Sequence, residues 1–119
     1  MAVCERYFEE YSPPHWHEFY EFELYLTGNG STNMNGKEYR IVPNTLCFLT
    51  PTDFHSFGPD PGNRFLQVTF TFTPDCIEDS VISEFITLCH GFFTTIDDVT
   101  ANRLAYMTRC LSAEVSANA

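Results

Sequence analysis

Apolar and polar residues alternate along residues 16–27 (Trp-His-Glu-Phe-Tyr-Glu-Phe-Glu-Leu-Tyr-Leu-Thr), as they do on a long strand with one face buried. Gly28-Asn29-Gly30 stops this run with a tight turn. A short strand is expected near 31–34, and Asn35-Gly36 is a type I′ hairpin signal that sends the chain back through 37–42. Pro43-Asn44 makes the next turn, and Leu46 to Thr50 is a short buried strand ended by Pro51. Residues 64–72 alternate again, with Leu66, Val68, Phe70 and Phe72 on one face. The intervening Gly58-Pro59-Asp60-Pro61-Gly62 reads as a loop. Short strands with turns every eight to twelve residues predict a mainly β, antiparallel sandwich or barrel.

Past residue 73 the spacing becomes helical. Asp75 with Glu78 resembles a capping box, and Ile77, Val81, Phe85 and Cys89 recur every four residues. Thr95 with Asp98 gives a second start signal, after which Thr100, Leu104, Met107, Leu111 and Val115 mark one face of a second helix. That stripe either packs on the β-structure or forms a dimer seam. The expected layout is one domain: an N-terminal arm over 1–14, the β-barrel over 15–73, and two helices over 75–119.

Composition narrows the function classes. No apolar run approaches the roughly 20 residues of a membrane span, and the N-terminus lacks the layout of a secretory signal, so a cytoplasmic protein is expected. The formal charge is −10, and the six cations are scattered, so direct nucleic-acid contact by this chain is not expected. Arg40 or Arg64 is a candidate partner for an anionic effector, although a surface ion pair is the commoner fate. The five cysteines include no Cys-x-x-Cys pair, and Cys47 and Cys89 read as small buried hydrophobes in a reducing compartment.

The candidate chemistry lies in His15-Trp16-His17-Glu18-Phe19-Tyr20-Glu21 and in Pro51-Thr52-Asp53-Phe54-His55. On a strand His15, His17 and Glu21 share a face, and Glu23 and Tyr25 continue it. Trp16, Tyr20, Phe22, Leu24 and Leu26 take the other face. A straight strand separates the two histidines by roughly 6.5–7 Å and puts Glu21 about 13 Å beyond His17, so convergence on one ion demands a bend or bulge. The turn after Pro51 returns His55 towards the same place. His15, His17, Glu21 and His55 suit a divalent transition metal (Zn, Ni, Fe or Mn), and the same pocket suits an organic ligand. His90 has no partner in the pattern and reads as a surface residue at a helix end.

His15, His17, Glu21 and Gly28 follow the spacing His-x-His, three residues, Glu, six residues, Gly, which resembles the first signature of the cupin superfamily. Pro43 to His55 resembles the second, although Asn44 stands where Gly is usual and Pro51 to His55 is one residue short and lacks its Gly. The layout over 10–119 is similar to the N-terminal sensor domain of AraC-type transcriptional regulators. That resemblance implies a cupin-type antiparallel β-barrel (a double-stranded, jelly-roll-like β-helix) followed by two α-helices. It also implies a small-molecule effector such as a sugar or another polar metabolite, bound near His15, His17, Glu21, Glu23, Tyr25 and His55. A homodimer and a separate helix-turn-helix unit complete the implied regulator. No such unit is legible in these residues, so a truncated or sensor-only regulator is expected. The alternative is a single-domain metal-dependent cupin enzyme of oxygenase or isomerase type.

Overall fold

The computed structural model describes residues 1–117, with side chains as far as residue 114; Val115, expected on the apolar stripe of the second helix, lies outside those side chains. Among the described residues the strands are β1 (Ala2–Phe8), β2 (Ser12–His15), β3 (Tyr20–Thr27), β4 (Gly30–Met34), β5 (Lys37–Ile41), β6 (Thr45–Leu49), β7 (His55–Pro59), β8 (Phe65–Phe72) and β9 (Phe92–Thr95). The helices are α1 (Ser80–Leu88) and α2 (Asp98–Ala117), with a single 3-10 turn at Pro74–Cys76.

The strands form two antiparallel sheets with the orders β1-β8-β3-β6-β9 and β2-β7-β4-β5. The sheets face each other as a jelly-roll sandwich and do not close into a continuous barrel. Asn35 and Gly36 both have positive φ (54° and 86°), the conformation a type I′ turn needs between β4 and β5. Asn44 also adopts positive φ (68°), which explains how Asn serves where a Gly is usual. At Gly28, φ is 99° and a Cβ would collide with the carbonyl of Arg64, so the signature glycine is required twice over.

The alternation in β3 and β8 separates two apolar layers. Tyr20, Phe22, Leu24, Leu46, Phe48, Val68, Phe70 and Phe72 face outward from the larger sheet, where Ile77, Ile86, Cys89, Ala101 and Leu104 cover them. The opposite face of that sheet meets the smaller sheet through Tyr25, Cys47 and Phe65 against Ile41 and Phe57. Each fully buried side chain of this size contributes about 1.5–3 kcal/mol.

Several expectations are corrected. The strand expected over 16–27 begins at Tyr20, because residues 16–19 cross from one sheet to the other. The segment 1–14, expected as an arm, is built into both sheets: β1 pairs with β8 and β2 with β7. His55 to Pro59 is a strand instead of a turn and loop, and Phe92 to Thr95 is a β-strand inside the segment expected to be helical. The first helix is capped by Asp79, whose side chain accepts from the amides of Val81 and Ile82; Asp75 sits in the preceding 3-10 turn. The second is capped by Asp97, which accepts from Thr100 N at 2.7 Å, and not by Thr95, which ends β9. The first helical stripe splits: Ile77 and Cys89 pack inward, while Val81 and Phe85 are 73% and 67% exposed. The second stripe also splits, with Leu104 packed and Met107 exposed.

Candidate functional site

Three short elements bring the histidines together. His15 is the last residue of β2, and its register partner on β7 is His55, so the two rings meet with centroids 4.2 Å apart. His17 lies in the crossing between the sheets, its ring 6.0 Å from His15 and 5.7 Å from His55. The ring stacks on Phe19 at 4.0 Å. After the crossing Glu21 enters on β3, and its Oε2 sits 2.8 Å from His17 Nε2. The bend that convergence demanded is thus a corner between two sheets, where a curved strand was expected.

Backbone carbonyls fix two of the rings. His15 Nδ1 donates to the carbonyl of Pro13 at 2.8 Å, and His17 Nδ1 donates to that of Phe19 at 3.1 Å. Those bonds leave the Nε2 atoms as the ligating or charge-pairing nitrogens. Burial works against protonation of His17, but the bond and charge of Glu21 and the Phe19 carbonyl outweigh it, so its pKa lies above the ordinary value. His55 is the opposite case. It is 1% exposed, neither ring nitrogen has a hydrogen-bond partner, and burial followed by the charges of His15 and His17 holds its pKa down to about 4.

Glu23 and Tyr25 continue the inner face of β3, and both are buried. Tyr25 Oη donates to Glu23 Oε1 at 3.1 Å, and Gln67 Nε2 donates to Oε2 at 3.3 Å. Burial, then the charge of Glu21, pushes the Glu23 carboxyl up to about 8. At neutral pH it stays largely protonated.

Ligand atoms of His15, His17 and His55 all lie within 4.8 Å of one another, and so do those of Glu21, Glu23 and His55. A metal bound at about 2.0–2.1 Å by imidazole nitrogens fits a cluster of this size. One of the two unpaired nitrogens of buried His55 is what such an ion would satisfy, since a buried polar atom without a partner costs free energy. The triad of His15, His17 and His55 therefore fits a divalent transition metal as three nitrogen donors, with Glu21 beside it through its bond to His17.

Trp16 is 67% exposed and leans on Phe54 with ring centroids 5.4 Å apart, so it is a surface residue. Arg40 pairs with Asp60 and Arg64 with Glu9, both away from the histidines. His90 is exposed just after α1. Residues the sequence reading missed lie on β8 and β1. Across the larger sheet, Thr71, Thr69 and Gln67 stand beside Glu21, Glu23 and Tyr25, and β1 extends these rows with Ala2, Cys4 and Arg6. The signal was the polar half of the β8 alternation, at positions 67, 69 and 71.

The salicylate 1,2-dioxygenase of Pseudoaminobacter salicylatoxidans, in a mutant form, shares this cupin-like fold with TM-score 0.54 and 21% identity, over 81% of this chain and 26% of that one. The HTH-type transcriptional activator RhaR of an Enterobacter species is 37% identical over 58 residues, which is 49% of this chain and 21% of that protein. The Escherichia coli RhaR is 33% identical over the same shares. The chain thus aligns with about a fifth of the length of these relatives. The profile of the AraC-like ligand-binding domain matches residues 3–118, and this chain belongs to that family.

Proposed function

We propose that this chain is the effector-binding and dimer-forming domain of an AraC-type transcriptional regulator in the cytoplasm, and that the polar end of its sandwich holds a divalent metal and a small polar effector. The observation that carries the site is His55, buried without a partner between His15 and His17. The family match and the two activators support the regulatory role. No described helix is long and apolar enough to cross a membrane. The formal charge of −10 disfavours direct DNA contact by this chain.

His15 and His17 are pre-oriented by their carbonyl partners, Glu21 supplies charge, and the Glu23–Tyr25–Gln67 network floors the site. A bound metal would supply a Lewis-acid centre for oxygen donors of the effector. The effector would be a sugar or another small polar metabolite. The exposed residues Val99, Tyr106 and Met107 of α2 form the proposed dimer seam. Binding shifts such a regulator only if the effector has different affinity for its two arrangements.

Thermal melts of metal-free protein with Zn²⁺ or Ni²⁺ test the site. A ligand that binds only the folded state stabilises by about 2.7 kcal/mol at a hundred times its Kd. Wild type should gain a shift of this kind and His55→Ala should gain none; equal shifts in both contradict the proposal. Sedimentation should give a dimer that Met107→Glu dissociates. The same ligand set also suits a metal-dependent cupin enzyme of oxygenase or isomerase type. Substrate turnover by the metal-loaded chain, abolished in His17→Ala, would favour that second reading.

A further inference from the structure

His55 belongs to two sets of ligand atoms. One is the triad with His15 and His17. The other joins it to Glu21 and Glu23, whose ligand atoms also lie within 4.8 Å of its own and of each other. The two sets share no other residue. Strand geometry makes the second one: Glu21 and Glu23 are alternate residues on the inner face of β3, and His55 begins β7 in the facing sheet.

Two neighbouring carboxylates are common without an ion and do not mark a site by themselves. The imidazole beside them does. His55 is 1% exposed, and neither of its ring nitrogens has a hydrogen-bond partner. Glu23 is also held as a ligand would be. Tyr25 Oη donates to its Oε1 at 3.1 Å and Gln67 Nε2 to its Oε2 at 3.3 Å, which fixes the carboxylate while each oxygen keeps a lone pair. Glu21 holds His17 through Oε2 and has a second oxygen to offer. A divalent cation between the two carboxylates brings the charge of this buried set to zero, and ligation displaces the proton of Glu23.

The two positions exclude each other. A neutral His55 ring has one lone pair to give while its other nitrogen keeps the proton. Ligation by His17 Nε2 also breaks the bond to Glu21, whereas an ion on the carboxylates leaves that bond in place. Donor chemistry separates them too. Three imidazoles suit Zn²⁺ or Ni²⁺, and two carboxylates with one imidazole suit a harder ion such as Mn²⁺.

We infer that the polar end of the sandwich contains a second metal position, formed by Glu21, Glu23 and His55, which takes a hard divalent cation such as Mn²⁺ in place of the ion on the histidine triad. The inference rests on the metal-site reading above and adds a position that the triad does not supply.

The test uses residues that belong to one set only. Metal-free wild type, Glu23→Gln and His15→Gln are titrated with Mn²⁺, followed by the electron paramagnetic resonance of the free ion, and with Zn²⁺, followed by calorimetry. Wild type should bind one equivalent of either ion, and Zn²⁺ should displace Mn²⁺ one for one. Glu23→Gln should weaken Mn²⁺ binding by at least about tenfold and leave Zn²⁺ binding near wild type. His15→Gln should do the reverse. The ion that each variant still binds shows that it is folded. Mn²⁺ binding that survives in Glu23→Gln, or that falls in His15→Gln as far as Zn²⁺ binding does, overturns the inference and leaves the histidine site standing. Simultaneous binding of both ions, or no Mn²⁺ binding by a wild type that takes Zn²⁺, has the same meaning. A wild type that binds neither ion overturns the site and the inference together.

Discussion

His55 and Phe57 lie two residues apart on the same face of β7, stacked with centroids 6.1 Å apart, yet they belong to opposite halves of the interior. On the Phe57 side, Tyr25, Ile41, Cys47 and Phe65 fill the space between the sheets. On the His55 side, the same two sheets present three imidazoles and two carboxyl groups. Cross-strand neighbours are equally close in both halves, so the difference lies in what burial does to each side chain. Burying Phe65 releases apolar surface from water. Burying His55 strips two polar nitrogens and returns no hydrogen bond. One half is arranged for stability, and the other leaves buried polar atoms unpaired.

The largest effect should fall in the apolar half. Phe65→Ala should cost about 3–5 kcal/mol in urea denaturation, because Phe65 is fully buried against Tyr25. A cost near zero would remove the apolar half of the contrast. His55→Leu should act with the opposite sign, stabilising metal-free protein by about 1–2 kcal/mol because an unpaired imidazole is replaced by a hydrocarbon. The same variant should lose all stabilisation by Zn²⁺. A His55→Leu protein destabilised like Phe65→Ala would erase the distinction between the two halves.

A pH series sharpens the contrast. The folded pKa of His55 is about 4 against 6.5 for the free group, so the unfolded chain takes up the proton first. Its contribution is complete above about 6.5 and is lost as pH falls towards about 4. Glu23 runs the other way. Its folded pKa of about 8 exceeds the free value of 4.5, so its contribution is present below 4.5 and is lost as pH rises towards about 8. His17, also raised, adds to that loss above 6.5. Urea midpoints of metal-free wild type should therefore fall from pH 6.5 to 8, and Glu23→Gln should keep only the His17 share of the fall. An unchanged slope in Glu23→Gln would show that this carboxyl does not titrate in that window. Outside both halves, Asp79→Ala should cost only about 1 kcal/mol of thermal stability through loss of the α1 cap, with Zn²⁺ binding unchanged.

Much of this contrast was legible in the sequence because the side-chain period of a strand is fixed. Parity alone put Glu21, Glu23 and Tyr25 on one face of β3 and Phe22, Leu24 and Leu26 on the other. The hairpin at Asn35-Gly36 and the polar spacing from His15 to Gly28 were equally readable. What was lost depends on tertiary pairing. Residues 16–19 alternate like a strand, yet the chain leaves one sheet there for the other, and that corner is what unites His17 with Glu21. β7 carries Gly58 and Pro59, which look like loop residues but lie at the end of a short strand. Phe92-Phe93-Thr94-Thr95 has the aromatic and β-branched composition of a strand, masked by the helical spacing on either side.

The central claim is that the polar half binds a ligand through its three histidines. The most direct measurement is ¹⁵N imidazole NMR of the metal-free chain during Zn²⁺ addition, with exposed His90 as the internal control. The resonances of His15, His17 and His55 should shift together and saturate at one equivalent while His90 stays in place. Shifts confined to His90, or no saturable shift in the other three, would contradict it.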